Sequence, residues 1–63
     1  MKFSAKKLFE IAQEEYSKAG LTATAEGAGN WAYNSAKQEY ESEKEVRDEL
    51  EGYIAEELEM ANE

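Results

Sequence analysis

Only sixteen side chains in this 63-residue chain are large and apolar; the other ten hydrophobic residues are alanines. A chain so short buries roughly 60% of the surface its unfolded form exposes, which leaves stability marginal. Small domains usually compensate with disulfides, a metal or self-association. Cysteine and histidine are both absent, which removes disulfides, zinc fingers and iron–sulfur ligation. A lone monomer would have a thin core, so a homodimer or a partner-dependent fold is expected. Proline is also absent, β-branched residues are few, and Ala, Glu, Lys and Leu dominate. That is a helical composition. No alternation of period two is long enough for a strand. The expectation is one all-α domain over 1–63: a small bundle of two or three helices, about 4–19, 30–41 and 42–61, completed by dimerisation.

The first helix is well punctuated. Ser4 suits an N-cap, and Phe3 before it can staple onto Leu8. Ala5, Leu8, Phe9, Ala12, Tyr16 and Ala19 fall within one arc of about 100°, with Lys6, Lys7, Glu10, Glu14 and Ser17 outside it. Gly20 stands where a left-handed cap is wanted. Residues 20–30 are small and polar and form the main connection. Thr24 and Asn30 are alternative starts for the next helix, and Gly27 and Gly29 favour the later one. From Trp31 onward no residue forces a break. Ser42-Glu43-Lys44-Glu45 matches a capping box, so either one helix runs through or a bend falls near 41–43. Val46, Leu50, Tyr53 and Ile54 share an apolar stripe, with Tyr40 and Leu58 at its edge.

Charge is distributed unevenly. Residues 39–63 hold eleven acidic residues against Lys44 and Arg47, a net of −9 in a chain whose total is −8. Glu41, Glu45, Asp48, Glu56, Glu59 and Glu63 recur at helical steps, with Glu49 beside them and Gly52 in place of a missing rung. Like charges at i,i+4 cost a few tenths of a kcal/mol per pair. Two uses fit the ladder. It presents carboxylates to a basic partner, in the manner of a nucleic-acid backbone, or it only keeps a small protein soluble. B-DNA carries a charge about every 1.7 Å of axis, so seven carboxylates over about 33 Å are too sparse unless two copies combine. Trp31 is read either as core or as an exposed binding anchor.

Catalysis finds little support. Carboxylates doing acid–base work need a cleft that raises one pKa, and a thin helical domain offers none. Gly27-Ala28-Gly29 lacks the strand and the Lys-Ser/Thr of a phosphate loop. The acids fit no calcium loop, and di-iron helices need histidine. No cofactor or metal site is expected. No stretch approaches the roughly 20 apolar residues of a membrane span, and no apolar stretch follows the basic N-terminus as in a secretory signal. The chain is expected to repel nucleic acid and anionic lipid and to reside in the cytoplasm.

Small size, strong acidity and the lack of catalytic residue types resemble, as a class and without a shared motif, the small acidic inhibitors of bacteriophages and other mobile elements. The expected function is a non-enzymatic module that occupies the basic or nucleic-acid-binding surface of a partner protein. Its contacts would be Glu41, Glu45, Asp48, Glu49, Glu56, Glu59 and Trp31. The alternative is a homo-oligomeric assembly module with Val46, Leu50, Tyr53, Ile54 and Leu58 as its seam.

Overall fold

Ser4 opens the first helix, α1 (Ala5–Lys18), in a computed structural model that describes residues 1–61. Its Oγ accepts from the Lys7 N–H at 3.1 Å, satisfying one of the orphan donors of the first turn. At the other end Gly20 adopts φ +77°, the left-handed conformation glycine reaches without penalty. The N–H groups of Leu21 and Gly20 then bond back to the carbonyls of Tyr16 and Ser17, which is a Schellman closure. Both punctuation marks stand where the sequence put them.

The inward face of α1 is rotated from the expected arc. Leu8, Ile11, Ala12, Glu15 and Tyr16 are buried, whereas Ala5 and Ala19 are exposed. Size decides this: packing Ile11 removes more apolar surface from water than packing either terminal alanine.

The second helical segment starts early, not at Asn30. Thr24 Oγ1 accepts from the Gly27 N–H at 2.9 Å, and Ala25–Gly29 winds as a π-helix that runs directly into α2 (Asn30–Ser35). The two glycines, taken from the sequence as signs of a late start, are what the wide winding accommodates. α2 also ends sooner than the expected 41. The Lys37 and Gln38 N–H groups tighten onto the carbonyls of Asn34 and Ser35, and the Tyr40 N–H then bonds to the Met1 carbonyl at 2.8 Å. Tyr40 is buried, with its ring 6.2 Å from that of Phe3. Turning Tyr40 inward is incompatible with a continuous helix from 30 to 61.

Ser42 and Glu45 restart the chain as α3 (Glu43–Ala61). Ser42 Oγ accepts from the Glu45 N–H, and the Glu45 carboxylate accepts from the Glu41 N–H at 3.0 Å. This is the expected capping box with its return bond one residue early.

α1 packs against the π-helical segment, α2 and α3, while the backbones of α2 and α3 stay apart. Lys7 pairs with Glu43 near the start of both helices, and Tyr16 with Glu57 near the end of α1, so α1 and α3 run parallel. Val46, Leu50 and Ile54 pack inward with Leu8, Ile11, Tyr16, Trp31 and Tyr40 in a single core. At about 1.5 Å per residue α1 is about 21 Å long and α3 about 28 Å, so α3 overhangs the C-terminal end of α1.

Candidate interaction surface

Anchoring Val46, Leu50 and Ile54 against α1 turns the opposite side of α3 to solvent. Glu45, Asp48, Glu49, Glu51, Gly52, Ala55, Glu56 and Glu59 are all exposed there, together with Lys44. The ladder is a real surface, with two corrections at its ends. Glu41 precedes α3 and belongs to the connection. Glu63 lies outside the described residues. The helical ladder therefore runs from Glu45 to Glu59, about 21 Å at about 1.5 Å per residue.

Its two neighbouring cations are used differently. Lys44 stays on the outer face and pairs with Asp48 at 2.9 Å. Arg47, the chain's sole arginine, turns inward. Its guanidinium reaches Glu15 at 2.8 Å and Glu14 at 2.7 Å on α1, with Glu43 at 3.8 Å. The Arg47 hydrogen bond and charge hold the Glu14 carboxyl below the usual carboxylate range, and Glu14 in turn raises Arg47. Glu15 is only 5% exposed and also pairs with Lys18 at 3.1 Å. One helix–helix network thus removes arginine from the acidic face.

Two further carboxylates of α3 serve the fold. Glu57 accepts from the Tyr16 hydroxyl at 2.9 Å, and Glu49 lies 3.2 Å from the Tyr40 hydroxyl. Burial first, and the Glu57 carboxylate second, push the Tyr16 hydroxyl pKa well above its ordinary value. Burial also raises Tyr40, with Glu49 adding to it. By contrast Glu51, Glu56 and Glu59 meet no cation within 4 Å among the described residues. Among those residues no three carboxylates converge as a metal site, and no helix is long and apolar enough to cross a membrane.

Trp31 is not an exposed anchor. It is buried in the core, with its indole N–H unpartnered. The proposed self-association stripe divides as well. Val46, Leu50 and Ile54 line the chain's own core, Tyr53 is half-buried, and only Leu58 is exposed, at 37%. A homotypic seam built on the first three would have to displace α1. Met60 was not singled out from the sequence, and it is the most exposed large apolar residue of the described chain at 76%.

No family model, curated protein or solved structure matches this chain.

Proposed function

We propose that this chain is a non-enzymatic protein-binding module whose α3 outer face engages a basic surface of another protein. A surface that normally holds nucleic acid fits best, and occupying it makes the chain an inhibitor. The observation that carries this reading is the allocation of charge on α3. Six carboxylates, Glu45, Asp48, Glu49, Glu51, Glu56 and Glu59, face outward with one lysine, while Arg47 is held against α1. Six charges over about 21 Å stand on average about 4.2 Å apart, against about 3.4 Å per phosphate along one strand of B-DNA. Duplex density is twice that. A single copy therefore approximates one strand, and the reading needs no dimer to reach it. Val46, Leu50 and Ile54 are also occupied within the chain, so we do not extend the proposal to a homodimer.

Association of this kind is steered by charge and weakens with salt. The test is capture of a partner from the native host at low and high salt, followed by competition between this chain and DNA for the captured protein. Asp48→Lys, Glu51→Lys and Glu56→Lys together should abolish capture while far-UV circular dichroism stays helical. Capture that survives those reversals, or that leaves the partner's DNA binding untouched, ends the proposal.

A further inference from the structure

Past Ile54 no described residue of α3 is fully buried, yet the helix continues to Ala61. This overhang exposes apolar surface. Leu21, Tyr53, Leu58 and Met60, with Glu56 and Glu57, line a groove of about 570 Å³. Leu58 also borders a smaller one of about 290 Å³ on its other side, with Ile54 and Ala55. The larger volume falls in the range of ligand-sized clefts. Large exposed apolar residues gathered at one place mark docking surfaces, and methionine adapts its shape to what docks.

The charges around the groove specify the occupant. Glu56 and Glu57 line the larger groove and Glu51 the smaller; among the described residues Lys18 is the one cation lining either, and it is paired with Glu15. The last described turn of α3 contains no basic residue. Acids there oppose the negative end of the helix dipole, an arrangement relieved by cations arriving from outside. We infer that the overhang of α3 receives a basic amphipathic helix of another protein, with apolar side chains in the groove and Lys or Arg on its acidic rim. Helix-in-groove recognition lays an apolar stripe into such a groove, and complementary flanking charge adds steering and specificity. A second copy is disfavoured as occupant, because its own overhang brings the same carboxylates. The inference deepens the proposed function and rests on its acidic recognition of a basic partner.

The test uses two labelled peptides of identical composition. One is a Leu/Lys helix with leucines at i, i+3, i+4 and i+7; the other has them scrambled off any stripe. Anisotropy and NMR shift mapping follow both at about 50 mM and 300 mM salt. The amphipathic peptide should bind about tenfold more tightly, shifting Tyr53, Leu58 and Met60. Leu58→Ser with Met60→Ser should erase that preference and leave the salt-sensitive part. Equal binding of both peptides to the wild type overturns the groove and spares the acidic face. Tight amphipathic binding indifferent to salt overturns the acidic reading itself, and no binding of either overturns both. Sedimentation showing a dimer of the free chain that Met60→Ser dissolves overturns the choice of occupant.

Discussion

Replacing Arg47 by alanine should destabilise the fold by about 2 kcal/mol while leaving the acidic outer face intact. The figure follows from what the guanidinium leaves behind. Its bond to Glu14 joins an exposed carboxylate, is screened by water, and contributes little. Its bond to Glu15 at 2.8 Å is different, because Glu15 is only 5% exposed. Breaking a buried ion pair typically costs about 3–5 kcal/mol. Two features reduce that here: Lys18 still reaches Glu15 at 3.1 Å, and Arg47 is itself 28% exposed. A charge-assisted hydrogen bond of about 1.5–3 kcal/mol is then the better guide. Total stability for a chain of this length is about 3–9 kcal/mol at typical per-residue values, so the loss is substantial. Thermal unfolding should shift down by about 8–16 °C. The assay is a double-mutant cycle of Arg47→Ala and Glu15→Gln by urea and heat, followed by far-UV circular dichroism. A coupling of about 1–2 kcal/mol is expected between adjacent members of one network. Arg47→Lys should recover only part, since an ammonium cannot fork to Glu14 and Glu15 together. Additivity of the two single changes within about 0.3 kcal/mol would refute the view that Arg47 holds α1 to α3.

Two helical glycines, Gly52 and Gly27, should respond differently to alanine. Gly52 is exposed, and a Cβ there meets nothing within 4 Å, so Gly52→Ala should stabilise by about 1 kcal/mol and raise the melting temperature by about 4–8 °C. A lowered melting temperature would show that Gly52 is not an ordinary exposed helical position. At Gly27 the added carbon would stand 3.2 Å from Thr24 Oγ1 and 3.4 Å from Glu57 Oε1, so Gly27→Ala should fall short of Gly52→Ala by at least about 1 kcal/mol, measured in the same urea titration. Stability should also decline as pH rises above about 10. The unfolded chain ionises its tyrosines there, whereas burial keeps Tyr16 and Tyr40 protonated in the fold, so their contribution is complete below that pH and lost above it. Tyr16→Phe should flatten the decline between about pH 10 and 11.5, and an unchanged slope counts against the raised hydroxyl.

Local signals were readable where one residue type does one job. Ser4, Gly20 and Ser42 each act through their own backbone neighbours, and each appears at a helix end in the structure. The acidic face was legible for a similar reason, since a period of 3.6 sorts α3 into two sides. What escaped depends on contacts distant in sequence. Tyr40 breaks the helix because its N–H finds Met1 and its ring finds Phe3, and neither can be inferred from residues 36–44. Glu15 drew no reading from the sequence, although Leu8, Ile11 and Glu15 share a face at helical spacing. Arg47 carried a usable signal: it is the lone arginine among lysines, and arginine suits a partly buried fork to two carboxylates. The π-winding of Ala25–Gly29 had none, because two glycines permit it without requiring it.

The energetic balance along α3 separates carboxylates the fold explains from those it does not. From Val46 to Ile54 each inward apolar side chain contributes roughly 1.5–3 kcal/mol by leaving water. Like-charge repulsion on the outer face costs only a few tenths per pair. Packing outweighs repulsion there by a wide margin, and the ladder on that stretch is tolerated whatever it does. Past Ile54 the terms reverse. No fully buried side chain holds the described helix there, its acids sit at the wrong end of the dipole, and among the described residues no cation pairs Glu56 or Glu59. A solubility role would be served equally well by lysines interleaved with these acids, and by a serine in place of Met60. The combination of unpaired carboxylates with exposed Leu58 and Met60 is costly in isolation. Both costs fall when a basic, partly apolar partner covers that end.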